Sequence, residues 1–205
     1  MVLKSITLRA FAPALSTLER VELAKAAGFH AVEINLEHGL DIHPDLPNDA
    51  LVAMARAIRE RGMEISSLYS REQWATMISS GVAANRAKGT DIVKRLIEAA
   101  HLMQVGAVLV IPGAVDDGLF GKQPELVRYD VVYHRVQEVL AGLLPLAAAA
   151  DTVLAIENVP SKFLVSPLEM ARFVDELNHP NLGVYFDVAN AMLYGFPEQW
   201  IPILG

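Results

Sequence analysis

The chain has 205 residues, a formal net charge of −7 and no cysteine, and 53% of its residues are hydrophobic. This composition excludes a disordered chain, disulfides and thiolate–metal sites, so any metal must be held by oxygen or imidazole ligands. The acidic balance argues against a nucleic-acid-binding protein, and no apolar stretch approaches the ~20 residues of a membrane helix. The sequence starts without a signal-peptide pattern, so we expect a cytoplasmic protein.

Short apolar runs alternate with helical segments along the whole chain. The first predicted strand, 5–8, leads to a helix that opens at the capping box of Ser16 and Glu19 and stops at Gly28. The segment 70–89 is predicted to be a long loop. Further strands are predicted at 31–36, 63–68, 107–111, 152–157 and 182–187, and further helices begin at Asn48, at Thr90 or Asp91, at Asp130, after Ser166 and near Pro197.

This alternation predicts right-handed βαβ units and a parallel sheet in a single domain, 1–205. The first strand is not followed by the glycine-rich phosphate loop of an open doubly wound sheet, whereas polar residues end several strands, as in barrel enzymes. We therefore predict an α/β fold of the (β/α)₈ TIM barrel type. Six βα units are present where eight make a closed barrel, so we expect the barrel to be truncated after the sixth unit. Either the native chain continues, or a partner covers the open edges.

Three carboxylates are predicted to project into the barrel. Side chains alternate along a strand, so Glu157 at the end of the fifth strand faces away from its apolar neighbours, and Asp187 ends the sixth strand in the same way. Glu33 holds an equivalent place between Val32 and Ile34 in the second strand. Carboxylates grouped in a barrel mouth repel one another unless a cation compensates, which favours a divalent metal. The alternative is that Glu157 and Asp187 cap helices or tether loops.

Loop residues supply further candidates for substrate contact. His38 follows the second strand on the side where barrel enzymes keep their chemistry, and its alternative is a plain surface position. Trp74 and Phe120 lie in loops on the same side, where they could line a sugar ring or simply pack a lid. Asp116 and Asp117 are interpreted as a turn rather than as metal ligands.

Three stretches of the sequence carry a family resemblance. They are 155–167 (AIENVPSKFLVSP), 184–197 (VYFDVANAMLYGFP) and, in support, 108–113 (VLVIPG). Together they resemble the xylose isomerase-like sugar phosphate isomerase/epimerase family, in particular its ketose 3-epimerase and hexulose-6-phosphate isomerase-like members.

The resemblance implies a site built around one divalent metal, usually Mn²⁺, with Mg²⁺, Co²⁺ or Zn²⁺ as alternatives. Glu157 resembles a residue that is both a metal ligand and an acid/base, and Asp187 resembles a ligand. Asn190 stands where related ketose 3-epimerases carry a histidine that contacts substrate. The family's histidine ligand and last glutamate belong to motifs of the seventh and eighth strands, which this sequence does not contain.

The implied reaction is epimerisation or isomerisation of a ketose or ketose phosphate, by proton transfer through an ene-diolate. We also expect a homo-oligomer, either a dimer or a tetramer. Two alternatives stay open: an inosose dehydratase-like lyase on the same scaffold, and a truncated, non-catalytic paralogue. An endonuclease IV-like enzyme shares the scaffold, but the charge of −7 counts against it.

Overall fold

Strands and helices alternate in the order that the hydrophobic pattern predicts. The computed structural model describes residues 3–116, 118 and 125–205. Its strands are β1 (Ser5–Thr7), β2 (Ala31–Asn35), β3 (Glu64–Tyr69), β4 (Ala107–Val110), β5 (Val153–Glu157) and β6 (Leu182–Tyr185). Its helices are α1 (Thr17–Ala26), α2 (Asn48–Glu60), α3 (Ala83–Met103), α4 (Tyr129–Ala149), α5 (Pro167–Leu177), α6 (Val188–Ala191) and α7 (Pro197–Leu204), with 3₁₀ turns at Leu8–Ala10 and Arg71–Trp74.

The six strands of the described residues form one parallel sheet in the order β1-β2-β3-β4-β5-β6. A doubly wound sheet reverses its strand order at a switch point, whereas a barrel adds each strand beside the last. The order seen here is that of a barrel wall, which confirms the predicted fold type. The register places Glu157 of β5 beside Tyr185 of β6 at the carboxyl ends of the strands.

The core lies between the outer face of the sheet and the helices. Alternate residues of β5 illustrate this division: Leu154 and Ile156 are fully buried in the main hydrophobic cluster, while Glu157 is only partly buried. Two helix starts are fixed by serine caps, because Ser16 and Ser166 each accept the backbone N–H of the glutamate three residues later. None of the helices in the described residues is long and apolar enough to cross a membrane.

The predicted start of α3 is wrong by several residues. The helix begins at Ala83, well before Thr90, so the predicted loop 70–89 contains a 3₁₀ turn and the first turns of α3. The Thr90 hydroxyl does not cap the helix but donates to the carbonyl of Arg86 one turn back. At the true start, Val82 provides no side-chain cap, which is why the sequence carries no signal there.

Gly89 on α3 is placed where a side chain does not fit. A Cβ at this position would collide with the backbone carbonyl of Thr76, just after the turn that carries Trp74. We expect Gly89→Ala to lower the free energy of unfolding by about 1–3 kcal/mol through overpacking.

The matched control is Gly142 on α4, where an added Cβ meets open space. Gly142→Ala should instead raise the free energy of unfolding by about 0.5–1 kcal/mol, because alanine loses less entropy in a helix. Urea unfolding of both variants checks the prediction. Shifts of the two midpoints in the same direction would contradict it.

Candidate active site

A cavity of about 620 Å³ opens at the carboxyl ends of the strands. Five of the six residues predicted for the site line this cavity: Glu33, Trp74, Glu157, Asp187 and Asn190. They come from β2, the turn after β3, the end of β5 and the segment after β6, so widely separated parts of the sequence converge. The carboxyl ends of barrel strands are where barrel enzymes hold their catalytic groups.

Glu157 is the last residue of β5 and is placed by the alternation of that strand. Burial raises the pKa of its carboxyl to about 8, with the negative charges of Asp187 and Glu33 acting in the same direction. The side-chain amide of Asn190 donates to Glu157 Oε1 over a long 3.4 Å. Without a bound cation, this carboxyl group therefore keeps its proton near neutral pH.

Asp187 lies two residues after β6, which ends at Tyr185 rather than at Asp187 as predicted, and it is held by three hydrogen bonds. Its Oδ1 accepts the backbone N–H of Asn190 at 2.8 Å, so it caps the short helix α6. Its own backbone N–H and carbonyl both bond to the side chain of Asn158, at 2.6 and 2.8 Å. The capping alternative considered for Asp187 therefore holds for one of its carboxylate oxygens, while the residue also lines the cavity.

Glu33 is a buried carboxylate in the middle of β2. Its Oε2 accepts hydrogen bonds from Ser67 Oγ at 3.1 Å and from Tyr185 Oη at 2.9 Å. Burial and the charge of Glu33 raise the pKa of Tyr185 to about 12, so its phenol stays a neutral donor at physiological pH. Glu33 therefore accepts two hydrogen bonds from hydroxyl groups inside the barrel, whereas, among the described residues, Glu157 accepts a single long one from Asn190.

Trp74 and Tyr69 form a wall of the cavity, and their positions are fixed. Trp74 Nε1 donates to Tyr69 Oη at 3.0 Å. The preceding residue, Gln73, is buried; its amide donates to the carbonyls of Ser70 and Leu109, and its Oε1 accepts the N–H of Ile111. Sequence reasoning missed Gln73, because a side-chain bond to a distant strand leaves no periodic signal.

The structure does not bring His38 to the cavity. Its imidazole is more than half exposed and bonds to Glu72 at 2.6 Å and Asp45 at 3.0 Å, and these carboxylates raise its pKa. Asp116 accepts the N–H of Gly118, as expected of a turn, and also pairs with Lys162. The other two predicted positions, Asp117 and Phe120, lie outside the described residues.

The donors at the site suit a divalent cation, although they are few. None of the ion pairs in the described residues involves Glu157 or Asp187. Asp187 raises the pKa of Glu157, and the two carboxylates, which have no cationic partner among the described residues, are oxygen donors of the kind that Mn²⁺ and Mg²⁺ prefer. Across the part of the chain that the structure describes, no three histidine, aspartate or glutamate side chains are grouped so that they could hold a metal.

Solved structures share this fold. A D-psicose 3-epimerase superposes with a TM-score of 0.78 at 17% identity, over 94% of this chain and 65% of that one. The IOLI protein, solved with a bound zinc atom, superposes with a TM-score of 0.73 at 15% identity, over 95% of this chain and 66% of that one. At such low identity these matches establish the fold alone.

Sequence comparison establishes the family. The L-ribulose-5-phosphate 3-epimerase UlaE of Escherichia fergusonii is 26% identical over 204 residues, covering 93% of this chain but only 66% of that protein. The chain therefore spans about two thirds of the length of such relatives. The sequence profile of the xylose isomerase-like TIM barrel family matches residues 21–205. The chain belongs to the xylose isomerase-like TIM barrel family.

Proposed function

We propose that this chain carries the Glu157–Asp187 part of the active site of a metal-dependent sugar or sugar-phosphate epimerase. The observation that supports this function is the placement of Glu157 and Asp187 at adjoining strand ends, facing one cavity. The similarity to an L-ribulose-5-phosphate 3-epimerase and to a D-psicose 3-epimerase fold favours a ketose as the substrate class. We further propose that residues 1–205 form one barrel domain.

Glu157 is the group that we assign to proton transfer. Epimerisation next to a carbonyl begins with removal of the proton on the neighbouring carbon, which leaves an ene-diolate. Glu157 faces the cavity, and a cation bound beside it would favour its charged form, the form that can take a proton from the substrate carbon. Glu157 takes this proton from one face of the carbon, and a proton drawn from water is delivered to the opposite face, which gives the epimer.

Glu157 and Asp187 are also the residues that would hold the metal. A bound divalent cation would supply the positive charge that offsets their repulsion and that of the developing oxyanion. Oxygen donors favour Mn²⁺, with Mg²⁺, Co²⁺ or Zn²⁺ as alternatives. The zinc-bearing structure of similar fold supports testing zinc as well.

The remaining cavity residues are assigned to substrate contact. Trp74 and Tyr69 offer a rigid aromatic wall for the apolar face of a sugar, while Glu33 and Asn190 offer hydrogen-bond partners for its hydroxyl groups. His38 has no part in this proposal, because it is engaged by Glu72 and Asp45 outside the cavity. The cytoplasmic location and the homo-oligomeric state expected from the sequence stay predictions.

Deuterium exchange tests the reaction class. The protein is supplied with Mn²⁺, Mg²⁺, Co²⁺ or Zn²⁺ and incubated in D₂O with ketopentoses, ketohexoses and their phosphates. We expect deuterium at the carbon next to the carbonyl and an epimer in the product mixture. A product lighter by one water would support the inosose dehydratase-like alternative. Absence of exchange with every sugar and metal would contradict catalysis by residues 1–205 alone and favour the non-catalytic paralogue.

Metal dependence is tested by removing the metal. After treatment with EDTA the exchange rate should fall to background and should return when Mn²⁺ is added back. A chelated protein that still exchanges the proton at the original rate would remove the metal from the proposal.

A further inference from the structure

Asn158 fastens Asp187 to the end of β5 without lining the cavity. Its side chain is buried, with 4% of the residue exposed, and it does not belong to the cavity wall. Oδ1 accepts the backbone N–H of Asp187 at 2.6 Å, and Nδ2 donates to the carbonyl of the same residue at 2.8 Å. One side chain thus satisfies both backbone groups of a single residue on the neighbouring segment.

This contact continues the sheet past the end of its ladder. Regular pairing of β5 with β6 stops at Glu157 and Tyr185, so the backbone of Asp187 has no strand partner in the ladder. The Asn158 amide takes the place of the next pair of backbone hydrogen bonds. The chain at Asp187 is therefore held against β5 at the point where it turns into α6.

Two further bonds close a ring around the carboxylates. Asp187 Oδ1 accepts the N–H of Asn190, and the side chain of Asn190 donates to Glu157. Glu157 is joined covalently to Asn158, so Glu157, Asn158, Asp187 and Asn190 form a closed circuit. Within this circuit, the Asn158 amide makes the only two short contacts between β5 and the backbone of Asp187 in the described residues.

We propose that Asn158 is a positioning residue that sets the separation of the Glu157 and Asp187 carboxylates, and thereby the affinity of the site for a divalent cation. The effect on cation affinity rests on the proposed function, whereas the positioning of Asp187 by Asn158 does not. Substitution of a residue that orients a metal ligand through hydrogen bonds typically lowers metal affinity by about 10–100-fold. Asn158 acts through Asp187 and touches no substrate.

Asn181 provides a matched control on the same two strands. It lies just before β6, and its Nδ2 donates to the carbonyl of Thr152, just before β5, at 2.9 Å. Loss of this amide removes a side-chain bond between the same two segments at the opposite end of the barrel. Asn181→Ala should therefore reproduce any general weakening of the sheet without disturbing the carboxylates.

The experiment compares Asn158→Ala and Asn181→Ala in the full chain by two methods. Mn²⁺ titration followed by electron paramagnetic resonance should show a dissociation constant raised about 10–100-fold for Asn158→Ala and unchanged for Asn181→Ala. Amide hydrogen exchange should be at least about fivefold faster at Asp187 in Asn158→Ala, the ratio expected for one lost hydrogen bond, and unchanged there in Asn181→Ala.

Two results would overturn the positioning role. In the first, Asn158→Ala binds Mn²⁺ as tightly as the unmodified chain; in the second, Asn181→Ala loses as much Mn²⁺ affinity as Asn158→Ala. If the unmodified chain binds no Mn²⁺, the metal part of the proposed function fails, and hydrogen exchange at Asp187 alone decides the role of Asn158. If Asn158→Ala does not fold, Asn158→Ser replaces it, since serine is polar but too short to reach both backbone groups.

Discussion

Glu157→Gln is expected to lower the rate of proton exchange by more than about 100-fold, the scale of a lost general acid–base. Glutamine has the size and shape of glutamate but neither takes a proton nor carries a charge. It therefore keeps the packing at the end of β5 while removing the group that faces the cavity. The measurement is the initial rate of deuterium incorporation into the preferred ketose at saturating Mn²⁺.

Glu64→Gln is the matched control for this variant. Glu64 is the first residue of β3, at the opposite end of the barrel, and its carboxylate is exposed beside Arg59. The same substitution there should leave the rate unchanged. A Glu157→Gln rate within a factor of two of the unmodified protein would remove Glu157 from the mechanism.

The same substitution is expected to stabilise the metal-free protein at alkaline pH. The pKa of Glu157 is raised to about 8 in the folded state, above the ordinary value that it regains on unfolding. Between these two values the folded protein binds more protons than the unfolded chain, so its stability falls as the pH rises through this window. Glu157→Gln removes this loss, on the order of a few kcal/mol.

Thermal unfolding in EDTA between about pH 5 and pH 9 measures the effect. The melting temperature of Glu157→Gln should exceed that of the unmodified chain at the alkaline end, and the difference should shrink towards the acid end. Glu64→Gln should follow the unmodified chain throughout. Parallel melting curves for Glu157→Gln and the unmodified chain across this range would show that the folded site does not penalise the charge of Glu157.

The parts of the fold that were predicted correctly are those set by local chemistry. Apolar runs located all six strands, and the serine caps at Ser16 and Ser166 located two helices. Strand alternation correctly turned Glu33 and Glu157 towards the barrel interior, because period-two geometry is a property of the backbone itself. The family resemblance, which rests on the segments around β5 and β6, is confirmed by the family match.

The parts that were missed depend on contacts between distant segments. The start of α3 at Ala83 has no cap, and the packing of Gly89 against Thr76 that accompanies it is invisible along the sequence. His38 was assigned to substrate contact from its place in the loop after the second strand, and because loops lack periodicity nothing in the sequence indicated its bonds to Glu72 and Asp45. The position of His38 after the second strand indicated the correct end of the barrel, but it did not show that the side chain lies outside the cavity.

The tether of Gln73 to β4 has a consequence for how a ligand enters. Two hydrogen bonds of Gln73 hold the turn that carries Trp74 against Leu109 and Ile111 before any ligand arrives. Because the aromatic wall is already ordered, a ligand gains its contact without the entropic cost of freezing a loop. We therefore expect ligand binding at this wall to need no closure of the turn that carries Trp74.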